Sequence, residues 1–187
     1  FKIYDLEFYE VKYKSVTCIL VESGIGKVNA ARCTQVLIDN IDVDYIFNIG
    51  VAGGIDKSLN VCDVVVATSL VQHDFDITAF NHNKGYIPNV GININSNEYL
   101  VNLTKEIDKD LKYGVIASGD IFCTDINMSN KINNKFNALC VEMEGASIAQ
   151  VCYLCNIPFL IIRSISDVPN NNNNVTFDDF LDRSSNK

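Results

Sequence analysis

Short apolar runs rich in β-branched residues recur along the chain at Val16–Val21, Tyr45–Ile49, Val61–Ala67, Val115–Ala117, Leu139–Val141 and Phe159–Ile165. Continuous runs of this length predict strands buried on both faces. Helical spacing lies between several of them. Ala30, Cys33 and Leu37 form one stripe after Gly26. Leu100, Leu103, Ile107 and Leu111 form another behind a cap at Asn95 or Ser96, and Ile148, Val151, Cys152 and Cys155 form a third after Gly145. Strands alternating with helices predict an α/β domain, with a mostly parallel or mixed central β-sheet flanked by helices on both sides. In such sheets ligands gather where strands end and loops begin.

The 187 residues suit a single domain. An apolar content of 48% excludes a disordered chain, and no apolar run reaches the ~18 residues that would span a bilayer. With 15 Lys and Arg against 23 Asp and Glu, the chain lacks the basic excess that holds nucleic-acid phosphates, so neither nucleic acid nor membrane is an expected partner. Seven cysteines make an odd count, and Cys18, Cys33, Cys62, Cys140 and Cys152 lie in apolar runs where a reduced thiol packs as a small hydrophobe. A reducing, cytoplasmic setting follows. Cys152-Tyr-Leu-Cys155 has redox or metal spacing, but no second pair or nearby His completes a site, and core packing is the expectation. His73 and His82 are the only histidines, too few for a His-rich metal site, so no metal is predicted. Asn170–Asn174 reads as a mobile loop.

Chemistry concentrates at the strand ends. Ser23-Gly-Ile-Gly-Lys27 follows the first apolar run and opens a helix, yet it fits neither phosphate-binding pattern: Val28 stands where a Walker loop needs Ser or Thr, and Asn29 where a dinucleotide fingerprint needs Gly. A tight strand-to-helix turn is the expected role. Gly50-Val-Ala-Gly-Gly54 offers close backbone approach to a ligand. Val141-Glu-Met-Glu144 ends a strand with two carboxylates that need partners if buried, and vicinal hydroxyls are one such partner. Arg163-Ser-Ile-Ser-Asp167 ends the strongest strand; alternation places Arg163, Ile165 and Asp167 on one side and Ser164 and Ser166 on the other, unless the strand turns. An Asp there, partly desolvated, would have a raised pKa and could act as a general acid; a helix cap or loop acid is the plainer alternative. Ser118-Gly-Asp-Ile-Phe122 sets an aromatic ring past another strand end, where it can stack on a flat base.

With these motifs the sequence resembles the 5′-methylthioadenosine/S-adenosylhomocysteine nucleosidases of the nucleoside phosphorylase superfamily. The segments that carry the resemblance are Ser23–Val28, Asn48–Gly54, His73–Phe80, Ser118–Phe122, Val141–Glu144 and Arg163–Val168, in family order. The resemblance implies a nucleoside phosphorylase-like fold, an adenine nucleoside substrate, no cofactor, and a setting in methionine salvage and biosynthesis. It implies Asp167 as the acid serving purine N7, with Ser166 helping to place it and Arg163 helping to hold the attacking water. Glu144 and the Met143 backbone would hold the ribose hydroxyls, with Glu142 beside them. Val51, Ala52 and Gly53 would line the ribose side, Phe122 would stack on the purine, and the Cys123 backbone would read its edge. Phe177 would form part of a pocket for the 5′-thio group, completed across a homodimer by residues matching Ile77, Phe80 and Pro88.

Two alternatives stand beside this reading. A purine nucleoside phosphorylase needs fixed cations for phosphate, but Asn48 and Val51 stand where hexameric phosphorylases carry Arg and Ser. A non-catalytic nucleoside-binding or surface-interaction protein on the same scaffold is the other, motivated by the first residues. The chain opens in what resembles the family's second strand, so the segment bearing the general base is expected upstream of Phe1, and the closing helix is expected to continue past Lys187. Neither Glu7 nor Glu10 matches that base. An incomplete record of a longer enzyme is preferred over a short binding protein, because losing a central strand would leave backbone groups and apolar surface unpaired.

Overall fold

A computed structural model describes residues 1–168. Asn170–Asn174 and Phe177 lie outside the described residues. Three antiparallel strands come first, β1 (Lys2–Ile3), β2 (Leu6–Tyr13) and β3 (Val16–Val21). They are followed by α1 (Lys27–Asn40), β4 (Ile46–Gly54), β5 (Val64–Gln72), a short 3-10 turn at Thr78–Phe80, β6 (Ile94–Asn95) and α2 (Glu98–Ile107). The order then runs β7 (Lys112–Ser118), α3 (Ile126–Phe136), β8 (Ala138–Glu142), α4 (Gly145–Leu154) and β9 (Phe159–Asp167).

The main sheet has the order β6-β5-β7-β8-β4-β9 and mixes parallel with antiparallel pairs, as predicted. It also closes on itself, because Val64–Val66 of β5 pair antiparallel with Ile162–Ser164 of β9. Closure explains why the apolar runs are continuous: Val65, Val66, Leu70, Val71, Ile116, Leu160, Ile161 and Ile165 are all fully buried. Helices α1 and α4 pack on each other, and Ala30, Cys33, Ile148, Ala149 and Cys152 join one core cluster with strand residues.

Several boundaries differ from the periodicity. Strand β5 starts at Val64, three residues later than expected, because Cys62 takes φ +73° in a turn, and it continues to Gln72. The cap of α2 is Asn97, whose side chain accepts from Leu100 N at 3.1 Å, and the helix ends before Leu111. Helix α3 went unpredicted because its stripe is thin, with Ser129 and Ile132 as its buried residues. Strand β2 leaves no run in the apolar pattern, since it interleaves apolar with charged residues and buries only Leu6 and Phe8; a strand at the opening of the chain is expected from the family resemblance alone.

All seven cysteines are free. Cys33, Cys140 and Cys152 are buried as expected, and burial pushes the Cys152 thiol up to about 12. Cys18 is exposed, which corrects the expectation of packing, because the hairpin of β2 and β3 turns that face to solvent. Among the described residues, no helix is long and apolar enough to cross a membrane.

Candidate active site

The carboxyl ends of β4, β7, β8 and β9 meet the β3–α1 turn around one cavity of about 450 Å³. Its walls include Val51, Ala52, Gly53, Phe122, Cys123, Glu142, Met143, Glu144, Arg163, Ser166 and Asp167. Residues from five of the six separated motifs are therefore brought together. Ile77, Phe80 and Pro88 do not line it: Ile77 is half-buried, and Phe80 and Pro88 are exposed outside the cavity.

Ser166 and Asp167 share the cavity wall, against the strict alternation of a flat strand. The register of β9 on β4 runs from Ala52 opposite Ile165 directly to Gly53 opposite Asp167, so Ser166 is the extra residue of a β-bulge. The bulge turns both side chains the same way. Ser166 Oγ lies 2.6 Å from Asp167 Oδ1 and 3.2 Å from the Ala52 carbonyl oxygen. Asp167 is exposed on the cavity wall.

Among the described residues, Arg163 is the largest fully buried side chain. Its Nη2 donates to Glu142 Oε2 at 2.5 Å and also to Asn48 Oδ1, while Nη1 donates to the Ile162 and Asn48 carbonyls at 3.1 and 3.4 Å. Only Nε lacks a partner, and it is closed off from solvent. The guanidinium lies against Gly50, where an added Cβ would come within 3.1 Å of Nη1. Arg163 borders the cavity, but the donors that could have reached a water are spent on Glu142, Asn48 and Ile162.

Glu142 is likewise engaged. Besides Arg163, its Oε2 accepts from Glu144 N at 3.1 Å and Gly145 N at 2.7 Å, and its Oε1 accepts from Ser118 Oγ. Ser118 Oγ in turn accepts from Ala146 N at 2.7 Å. These bonds satisfy the opening amides of α4, which a helix cannot satisfy internally. Ser118 and Asn48 are residues whose part at the site was not read from sequence. Ser118 ends β7 and Asn48 lies near the start of β4, and their partners are 24 and 115 residues away.

Glu144 is half-buried at the N-terminus of α4 and accepts from Gly26 N at 2.9 Å through Oε1. Burial raises its carboxyl above the ordinary value, against the Gly26 amide and Arg163, while Glu142 adds to the rise. Among the described residues, its Oε2 has no hydrogen-bond partner. Phe122 projects from the loop after β7 and is 71% exposed, leaving a ring face free at the cavity. The site therefore combines an exposed carboxyl group, a second carboxylate with a free oxygen, an aromatic face and a glycine-lined floor. Among the described residues, no group of three His, Cys, Asp or Glu is placed to hold a metal ion.

The phosphorylase superfamily profile matches residues 2–187. The chain is 43% identical over 173 residues to a 5′-methylthioadenosine/S-adenosylhomocysteine nucleosidase of Bacillus cytotoxicus, covering 89% of this chain and 75% of that protein. Among solved structures it is similar to a Helicobacter pylori nucleosidase variant with 5′-methylthioadenosine in the active site, at 38% identity and a TM-score of 0.93 over 99% of this chain and 82% of that one. It is also similar to the futalosine hydrolase of Helicobacter pylori, at 39% identity and a TM-score of 0.93 over 99% and 81% of the two chains. On this likeness of sequence and fold, the chain belongs to the 5′-methylthioadenosine/S-adenosylhomocysteine nucleosidase family within the phosphorylase superfamily.

Proposed function

We propose that the protein hydrolyses the N-glycosidic bond of 5′-methylthioadenosine and S-adenosylhomocysteine, releasing adenine. The observation that carries this reading is the convergence of Asp167, Glu144 and Phe122 on one cavity in a member of this family. Asp167 donates a proton to N7 as the bond from C1′ to N9 breaks, so the electron pair leaves on a neutral adenine. The ribose develops oxocarbenium character, and a water oxygen bonds to C1′ and loses its proton to a general base. Ser166 orients Asp167. Glu144 accepts from the ribose hydroxyls with the Met143 backbone alongside, and Val51, Ala52 and Gly53 form the ribose wall. Phe122 stacks on the purine and the Cys123 backbone reads its edge. Arg163 and Glu142 serve by holding the end of β8 and the start of α4 in place.

The cavity also favours water over phosphate as the acceptor. Arg163 is the one cation on its wall among the described residues, and Glu142 already neutralises it. Phosphate recognition needs cations that remain free. A second copy of the chain, meeting the first near Ile77, Phe80 and Pro88, would complete the 5′-substituent pocket with Phe177. The cytoplasm and methionine salvage are the setting that fits such an enzyme and its reduced thiols.

Adenine release from methylthioadenosine in phosphate-free buffer tests the proposal. Turnover that appears only on adding phosphate would establish a phosphorylase, and tight binding without adenine release would establish a binding protein. Futalosine belongs in the same assay, because a futalosine hydrolase shares the fold at similar identity.

A further inference from the structure

Ser23–Lys27, the glycine-rich turn that fits no phosphate-loop spacing, ends at the N-terminus of α1. That terminus has no cap of its own: Gly26, at φ +91°, has no side chain, and no acidic residue lies in the first turn. Two remote carboxylates replace it. Gly26 N donates to Glu144 Oε1 at 2.9 Å, and Lys27 N donates to Asp120 Oδ1 at 2.8 Å. The bonds around Lys27 then close into a ring. Lys27 Nζ donates to Asp74 Oδ1 at 2.7 Å and to Gln72 Oε1 at 3.2 Å, and Asp74 Oδ2 accepts from Asp120 N at 2.9 Å. Gln72 Nε2 donates to Gln150 Oε1 at 2.7 Å and ties the ring to α4.

The geometry points to Lys27 and Asp74 as positioning residues that clamp the start of α1 against the ends of β5 and β7, holding the Gly26 amide on the carboxylate that binds the ribose hydroxyls. Both side chains are only 17% exposed, so the pair escapes most of the screening that makes surface ion pairs weak. Neither lines the cavity, so any effect on the ligand must pass through another residue. Gly26 supplies that link. Its amide belongs to the positive end of α1 and engages Glu144 Oε1, leaving Oε2 for hydroxyls. Without Lys27, Asp74 would be left half-buried without its cation and Asp120 would lose its fixed partner. The turn would then be free to carry the Gly26 amide away from Glu144. The same ring holds Asp120 two residues before Phe122, so the ribose and purine sides of the cavity share one fixture.

This inference rests on the proposed role of Glu144 in binding ribose. Its test is calorimetric binding of a methylthioadenosine analogue whose glycosidic bond is replaced by an uncleavable carbon–carbon bond, and of the 2′,3′-dideoxy counterpart of that analogue, with the thermal midpoint of each variant recorded. Lys27→Met and, as a second variant, Asp74→Asn are expected to lose about tenfold of the wild-type preference for the hydroxylated ligand. Lys27→Arg is expected to keep most of it. In a Glu144→Gln background, Lys27→Met should cause no further loss of preference, because the two act through one contact. Equal weakening of both ligands, or an undiminished further loss in the Glu144→Gln background, would overturn the proposal. Wild-type protein that binds neither ligand would overturn the reading of the site itself, and this inference with it.

Discussion

Arg163 and Glu142 form an ion pair 2.5 Å long, with both side chains only 2% exposed, at the point where β8 hands over to α4. Desolvating both charges is expensive, and the cost is met here by hydrogen bonds to nearly every remaining polar atom. Removing one partner strands the other. Glu142→Gln or Arg163→Met is expected to destabilise the fold by about 3–5 kcal/mol. Urea unfolding of the single variants and the double variant checks this, with the double variant less destabilised than the sum of the two.

The bulge at Ser166 leads to a different expectation for Asp167. Asp167→Asn keeps the shape and removes the transferable proton, so turnover should fall by about 10²–10⁴-fold. Affinity for a substrate analogue that cannot be cleaved should change little. Unchanged turnover would remove Asp167 from the role of acid.

Burial raises the Glu144 carboxyl, so the folded protein keeps this proton to higher pH than the unfolded chain does. The ionised group therefore detracts from stability at neutral pH, and this cost is relieved as pH falls through the raised pKa. Binding moves the opposite way, because ribose hydroxyls need the ionised acceptor. Affinity for a methylthioadenosine analogue that cannot be cleaved is expected to decline on acidification at a higher pH than an ordinary Glu would give. Titrating affinity against pH in wild type and Glu144→Gln checks this: the variant should bind more weakly at pH 7 and lack that acidic limb.

Gly50 leaves room for the Arg163 guanidinium, and an added methyl would sit 3.1 Å from Nη1. Arg163 is held by Glu142, Asn48 and Ile162 and has little freedom to retreat. Gly50→Ala is expected to cost about 1–3 kcal/mol through overpacking. Its thermal midpoint should fall, while Gly53→Ala, whose Cβ meets its neighbours at ordinary distance, should stay closer to wild type.

Local pattern was enough to locate six strands, the stripes of α1 and α4, and the class of sheet, but it misjudged burial in β3, none of whose residues is buried, and at Phe47 and Ile49 of β4, which are exposed. The motif residues were legible because Gly50–Gly53, Glu142–Glu144 and Ser166–Asp167 all stand at strand ends, where chemistry can reach solvent. Helix α3 was not, since it buries too few residues to leave a period, and strand β2, equally weak in pattern, was legible through the family resemblance alone.

Tertiary structure decided which of the polar groups are free. Glu142 and Glu144 are two residues apart and alike in sequence, yet one is consumed by Arg163, Ser118 and the α4 amides while the other keeps an oxygen for a ligand. Arg163 is turned from a cation facing the cavity into a buried counter-ion, and Ser166 is brought beside Asp167 by an extra residue in one strand. Composition and spacing determine where polar side chains emerge. Which ones remain available depends on partners as many as 118 residues away, and those are known only once the chain has closed on itself.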